Sequence, residues 1–219
     1  MSNYGFCSRR RAEELIQQGR VKVNGKTITI GDKAEEKDKI SVDGKVVNKQ
    51  KKIYLMFNKP LRCVTALRDK NQKTVIDFIK IKERVFPVGR LDYNTSGLLL
   101  LTNDGDFSNN IMHPSNEINK TYLVGINKPI LDRDIKTIEK GVRLNDGKTS
   151  PAKVKKFKPK LVEITIHEGK NRIVRRMLKE LGYTVMSLER IRIGKLDLGD
   201  LKSGKYRSLS VKDKKKIFS

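Results

Sequence analysis

Gly89-Arg90-Leu91-Asp92-Tyr93-Asn94-Thr95-Ser96-Gly97-Leu98-Leu99-Leu100-Leu101-Thr102-Asn103-Asp104-Gly105 is the stretch around which the chain is organised. The leucines from Leu98 to Leu101 predict a fully buried strand. Asn103-Asp104-Gly105 ends it with turn chemistry. Just upstream, one carboxylate, Asp92, lies in a loop of turn-formers and small polar residues. Gly89 and Gly97 would let backbone or ligand approach closely. A carboxylate beside apolar walls is a candidate nucleophile or acid/base. The plainer reading is that Asp92 only caps a turn. The local pattern alone favours the turn cap, so the rest of the chain must decide.

A length of 219 residues allows one domain or two and is enough for a real core. Hydrophobic residues make up 37% and charged residues 34%, so the chain is globular but polar. The formal charge is +24, from 49 Lys+Arg against 25 Asp+Glu, and such a field favours a polyanion as partner. Nucleic acid is preferred over a membrane surface. No apolar run approaches the ~20 residues of a spanning helix, and no signal-peptide core is present. Cys7 and Cys63 are far apart, which argues against a disulfide framework and fits a reduced, cytoplasmic protein. His113 and His167 have no ligand-like spacing, so no metal site is expected. There is no P-loop and no dinucleotide fingerprint. The oligomeric default is a monomer.

Ser8 reads as the N-cap of a helix running to about Gln18 and stopped by Gly19, with Ala12, Leu15 and Ile16 as its apolar stripe. Arg9, Arg10 and Arg11 occupy its first turn, the wrong end of the helix dipole for cations. A phosphate there would remove the conflict; three solvated arginines are the plainer alternative. Val21-Lys22-Val23-Asn24-Gly25-Lys26 alternates into an Asn-Gly hairpin, and Ile40-Ser41-Val42-Asp43-Gly44-Lys45-Val46 repeats the device with Asp-Gly. This segment resembles the S4 RNA-binding domain, on Cys7-Ser8-Arg9-Arg10, Ala12-Glu13-Glu14-Leu15-Ile16, Gly19-Arg20-Val21 and Val23-Asn24-Gly25. Its first helix looks truncated, since only Met1 to Phe6 precede Cys7. The resemblance makes Arg9, Arg10, Arg11, Arg20 and Lys22 RNA-contact candidates.

The expected division is an S4-like domain over 1–47, a polar linker over 48–52 and a second domain over 53–219. In the second domain, strands are predicted at Ile53 to Phe57, Cys63 to Ala66, Thr121 to Ile126, Leu161 to Ile166, Val185 to Ile193 and Tyr206 to Val211. Helices are predicted at Asp106 to His113 and Leu131 to Lys140, with a turn or two of helix at Thr74 to Ile79. Asn171 to Leu181 has the strongest helical pattern. Val174, Met177, Leu178 and Leu181 face a core, and Arg172, Arg175, Arg176 and Lys179 form a basic face. The terminal Lys212 to Lys216 run reads as a frayed, solvated end. No regular βαβ rhythm appears, which predicts an α+β fold: a small α/β module followed by a mixed, largely antiparallel sheet.

A lone carboxylate, a tyrosine and an arginine suit cofactor-free chemistry on a base. The carboxylate can add to an electrophilic carbon, an arginine partner would keep it ionised, and a tyrosine offers a stacking face and a hydroxyl. A base in structured RNA must first be flipped out. The stretch from Gly89 to Gly105 resembles the active-site signature of ribosomal RNA pseudouridine synthases of the RsuA/RluB type. Ile53 to Pro60, Met112-His113-Pro114-Ser115, Lys120-Thr121-Tyr122-Leu123-Val124 and Glu168-Gly169-Lys170-Asn171-Arg172-Ile173-Val174-Arg175-Arg176-Met177 are similar to further motifs of that family.

The resemblance implies that Asp92 is the nucleophile, at ribose C1′ or uracil C6, that Tyr122 lies against the base and assists proton removal, and that Arg175 pairs with Asp92. It makes Arg90, Lys120, Arg172 and Arg176 RNA-facing candidates and implies no cofactor. Ile173 stands where the family often has Gln. His113-Pro114-Ser115 leans toward the large-subunit type. The competing reading is a catalytically inert RNA-binding or ribosome-assembly factor, which would be free to lose Asp92, Tyr122 and Arg175. A DNA-binding protein is disfavoured, because no helix-turn-helix pair of suitable length appears.

Overall fold

The computed structural model describes residues 1–35 and 37–219. A 3-10 turn, Ser2–Tyr4, precedes helix α1, Arg9–Gln17. The Ser8 hydroxyl caps α1 by accepting from the Arg11 amide at 3.1 Å. Strands β1 (Val21–Val23), β2 (Lys26–Thr27), β3 (Ile40–Val42) and β4 (Lys45–Val46) form an antiparallel sheet in the order β2-β1-β3-β4. Asn24 and Asp43 take left-handed φ of 50° and 49°, and Gly25 and Gly44 follow at 84° and 78°. Two successive positive φ values make the tight hairpin turns that Asn-Gly and Asp-Gly favour. Leu15, Val21, Ile40, Val42 and Val47 bury against one another as a small core.

Residues 48–52 do not hang free. The Gln50 amide donates to the Tyr4 carbonyl at 3.1 Å. The Asn103 side chain accepts from the Ile53 amide and donates to the Lys51 carbonyl, both at 2.8 Å. The Lys52 ammonium lies 2.7 Å from Asp104. The polar composition that reads as a linker is here a strap, because buried Asn103 and Asp104 supply its partners.

The larger unit contains β5 (Tyr54–Lys59), β6 (Phe86–Val88), β7 (Ser96–Thr102), α2 (Gly105–Met112), β8 (Lys120–Ile126) and α3 (Asp132–Lys140). It continues with the small hairpin β9 (Arg143–Leu144) and β10 (Gly147–Lys148), then β11 (Lys153–Lys158), β12 (Leu161–Ile166), α4 (Ile173–Glu180), β13 (Val185–Ile193), β14 (Leu196–Asp197), β15 (Tyr206–Ser208) and α5 (Val211–Ile217). Its nine-stranded sheet runs β11-β12-β8-β13-β7-β5-β15, with β14 beside β13 and β6 beside β7. Strand pairs are antiparallel except β13 with β7, which meet in parallel at Glu189–Ser96 and Arg190–Gly97. The fold is α+β with a mixed, largely antiparallel sheet.

The four leucines of β7 explain why this strand is central. Leu98 and Leu100 face a core shared with Met56, Ile111 and Ile217. Leu99 and Leu101 face the opposite core with Leu55, Phe57 and Val75. All four leucines are 0% exposed, so no polar alternation is possible. A third core, under α3 and α4, joins Val124, Ile164, Val174, Met177 and Leu178.

Three expectations fail for identifiable reasons. Cys63 to Ala66 is no strand; Val64 makes a single isolated bridge to Thr74. The Thr65 hydroxyl instead accepts from the Leu91 amide at 3.2 Å and donates to the Leu91 carbonyl at 2.7 Å, taking the place of a backbone ladder. The chain end does not fray. Strand β15 stops at Ser208, and Ser210 and Asp213 form a capping box for α5, which buries Ile217 completely. Strand β11 was not expected, because five of its six residues are exposed and four are lysine. It is a charge-blunted sheet edge.

Candidate active site

The loop before β7 is held by its carbonyls. Leu91 O accepts from the Thr65 hydroxyl at 2.7 Å, Asp92 O from the Thr95 amide at 3.0 Å, and Tyr93 O from the Arg62 amide at 2.9 Å. Asn94 O accepts from Arg175 Nη2 at 2.6 Å, and Thr95 O from Lys59 Nζ at 2.9 Å. Each consecutive carbonyl thus has its own donor, and three of the donors come from distant side chains. The Asp92 carboxylate, by contrast, takes no hydrogen bond or ion pair from the described residues. The turn-cap reading of Asp92 therefore loses its support: the turn is held by everything except that side chain.

Asp92 lines a cleft of about 870 Å³ together with Arg90, His113, Lys120, Tyr122, Arg172 and Arg190. Tyr122 comes from β8, between cross-strand neighbours Ile164 on β12 and Arg190 on β13. It is half-buried and packs against two of the cores, which fixes its ring at the cleft wall. Ile173 is buried in the α4 core and offers the cleft no polar group.

Arg175 does not form the direct ion pair expected with Asp92. Its guanidinium donates to Asn94 O and, at 3.3 Å, to Val185 O. Burial pulls its pKa down, nearby Arg172 adds to the drop, and the Asp92 charge opposes both. Arg175 therefore acts on Asp92 through the loop backbone and at a distance. Helix α4 can present it this way because Val174, Met177 and Leu178 bury the opposite face.

Lys59 is the site residue that sequence reading missed at this position. It is 0% exposed, and its ammonium bonds Thr95 O and, at 3.0 Å, Pro60 O. Burial pushes its pKa down to about 8, against the pull of Cys63 and Asp92. Its flanks, Asn58 and Pro60, mark the strand end, but nothing local says that the lysine turns inward.

Lys120 is no outward RNA-facing group. Its ammonium sits inside the cleft on Ile118 O and His167 O, both at 2.9 Å. Burial, with Arg190 nearby, lowers its pKa to about 8. Arg190 was also missed. It is 4% exposed, and its Nε donates to Leu98 O at 2.7 Å.

Of the remaining RNA-contact candidates, Arg90 and Arg172 are exposed at the cleft rim. Arg176 is instead committed to Asp146 through two bonds of 2.8 and 3.0 Å, which pin α4 to the β9–β10 turn. In the N-terminal module Arg9, Arg10 and Lys22 are exposed, Arg11 pairs with Glu14 at 2.8 Å, and Arg20 forks onto Asp43. Among the described residues, no cluster of three or more His, Cys, Asp or Glu could hold a metal ion. Cys7 and Cys63 are both free thiols. Among the described residues, no helix is long and apolar enough to cross a membrane.

Known proteins place this geometry. The model of the RNA pseudouridylate synthase family matches residues 46–180, and the S4 domain model matches residues 1–40. Ribosomal large subunit pseudouridine synthase B of Bacillus subtilis (strain 168) is 44% identical over 99% of this chain and 93% of its own length. Dual-specificity RNA pseudouridine synthase RluF of Escherichia coli (strain K12) is 38% identical over 96% of this chain and 73% of its own. A crystal structure of a pseudouridylate synthase superposes with a TM-score of 0.75 at 32% identity, covering 98% of this chain and 95% of the other. With an S4 domain ahead of its nine-stranded sheet, the chain belongs to the RNA pseudouridylate synthase family and is an enzyme of that family.

Proposed function

We propose that this enzyme isomerises uridine to pseudouridine in ribosomal RNA, in the cytoplasm, with Asp92 as nucleophile and no cofactor. The observation that carries the assignment is the Asp92 carboxylate, without a hydrogen bond or ion pair among the described residues, in a loop whose carbonyls are all engaged. A rigid loop holding a free carboxylate is preorganised for attack. The ribosomal substrate rests on the names of the relatives, one of them a large-subunit enzyme.

In this mechanism the target uridine flips into the cleft and lies against Tyr122. Asp92 adds to ribose C1′ or uracil C6. The C1′–N1 bond breaks, its electron pair stays on the uracil, the ring turns, C5 uses the pair to bond C1′, and the bond to Asp92 breaks with its pair returning to the carboxylate. The C5 proton then leaves, with Tyr122 or water as acceptor, and N1 takes up a proton. Arg175 and Lys59 keep the loop in place, and Arg90 and Arg172 meet phosphate at the rim. Residues 1–47 form the RNA clamp, through Arg9, Arg10 and Lys22, and residues 53–219 form the catalytic domain.

The test is tritium release from C5-tritiated uridine in deproteinised ribosomal RNA, with wild type and Asp92→Asn side by side. Wild type is expected to release tritium and Asp92→Asn to bind RNA within about twofold but release none. Release by the variant at the normal rate defeats the nucleophile assignment. No release by either protein, on free RNA or on partly assembled subunits, returns the case to an inert RNA-binding factor.

A further inference from the structure

The cleft floor holds more positive charge than its protein partners account for. Arg190, on β13, lines the cleft at 4% exposure. One donor, Nε, is used on Leu98 O. Its Nη2 is buried and has no hydrogen-bond partner among the described residues. Lys120 lies close enough for the two cations to repel each other. No ion pair among the described residues links either one to a carboxylate. A buried cation without a counter-ion is costly, and a buried donor without an acceptor adds to that cost. Bonding Leu98 O alone would need only one donor.

The position selects the ligand. Phosphates of a docked RNA stay near water and meet the exposed Arg90 and Arg172 at the rim. A guanidinium this deep is reached only by a group that enters the cleft whole. Arg190 is the direct cross-strand partner of Tyr122, so the two side chains leave the sheet on the same face. The base proposed to lie against Tyr122 therefore brings its edge to Arg190. Uracil carries two carbonyl oxygens, and a guanidinium is a donor-only group suited to such acceptors.

We infer that Arg190, supported by Lys120, is a catalytic residue that binds a uracil carbonyl and stabilises the negative charge on the detached ring. This inference rests on the proposed function. When C1′–N1 breaks, the bonding pair is left on the uracil and spreads onto the carbonyl oxygens. The unpartnered Nη2 meets that charge as it develops. No reorganisation is needed, because the bond from Nε to Leu98 O already holds the guanidinium and the parallel pairing with Gly97 fixes the Arg190 backbone. The pair returns to carbon when C5 bonds C1′, the bond to Asp92 breaks with its pair returning to the carboxylate, the C5 proton leaves and N1 takes one up.

The test compares Arg190→Gln with wild type under single-turnover conditions, on ribosomal RNA transcribed with uridine or with 5-fluorouridine. Loss of the N-glycosidic nucleoside at the target is read by digestion and chromatography. Fluorine makes the ring hold negative charge more readily, so it substitutes in part for the missing cation. On uridine the variant is expected to be about 100-fold slower, as for removal of one charge-stabilising donor. On 5-fluorouridine the deficit should shrink to about tenfold or less, with RNA affinity within about twofold of wild type. An equal deficit on both substrates, or no deficit, overturns the inference; a merely structural role moves both rates together. Should Arg190→Gln not fold, Arg190→Lys decides. Lysine keeps the charge but cannot hold Leu98 O and reach the base at once, so it should be about tenfold slow on uridine and recover on 5-fluorouridine. A Lys variant as fast as wild type on uridine, or equally slow on both, overturns the inference. Failure of wild type to convert uridine defeats the proposed function instead, which separates the two failures.

Discussion

Replacing Lys59 by methionine tests how the catalytic loop is held. Lys59 is fully buried, with its pKa lowered from 10.5 to about 8 chiefly by burial. At neutral pH both the folded and unfolded chains carry this proton. Burying the cation then costs about 3 kcal/mol, the free-energy equivalent of lowering its pKa from 10.5 to about 8. The variant removes that cost but gives up two charged hydrogen bonds, on Thr95 O and Pro60 O, each worth about 1.5–3 kcal/mol. The two effects are of similar size, so stability at pH 7 is not diagnostic. The pH dependence is. Above pH 8 the folded state releases the proton while the unfolded state keeps it up to 10.5, so the unfolded state binds more protons and wild-type stability rises with pH. Relative to Lys59→Met, wild type should gain on the order of 1 kcal/mol between pH 7 and 9 and about 2–3 kcal/mol by pH 10. Urea unfolding of both proteins at pH 7, 9 and 10, followed by circular dichroism, measures the difference directly. Lys120 titrates in the same range but is present in both proteins and cancels. Parallel stability curves would refute the claim that Lys59 is a charge buried in the folded state.

Arg175→Met should lower the rate of tritium release by about 100-fold and leave RNA affinity within about threefold, because it frees the Asn94 carbonyl without touching the rim; a purely binding defect in a titration would contradict this. Gly97→Ala should destabilise the fold by about 3 kcal/mol or more, or prevent folding, since its Cβ would come within 2.3 Å of the Arg190 carbonyl at a φ of +102°. Wild-type thermal stability in that variant would refute the close approach of β7 and β13. Changing Arg9 and Arg10 together to alanine should reduce the slope of log affinity against log salt by about 1.5, as expected for two lost phosphate contacts. An unchanged slope would remove residues 1–47 from the RNA interface.

Much of this structure was legible because some segments admit only one environment. Leu98 to Leu101 cannot alternate, so β7 had to be covered on both faces. Val174, Met177 and Leu178 fix the buried face of α4, and with it the direction of Arg175. What Arg175 bonds was not legible: a carbonyl acceptor leaves no mark in the sequence, whereas a carboxylate invites pairing. Arg190 was hidden by a similar ambiguity. Leu188-Glu189-Arg190-Ile191-Arg192-Ile193 gives no hint that an arginine shares the inner face with Leu188. The bulge between Arg190 and Arg192 then changes the parity of the strand before Ile193. The S-x-x-D pattern at Ser210 and Asp213 could have revealed α5, but the lysines that follow it masked the signal.

The one parallel contact described in the sheet, between β7 and β13, sets when the enzyme becomes active as it folds. Hairpins or short loops bring together β11 with β12, β13 with β14 and β6 with β7. The seam instead requires residues 92 apart, Leu98 and Arg190, to meet, and the Asn94–Arg175 bond spans 81. Contacts of such separation close late, since the chain gives up loop entropy before they are rewarded. Both lie at Asp92. A folding intermediate with much of its sheet formed would thus still lack a fixed nucleophile, and recovery of activity on refolding should lag behind recovery of β-structure.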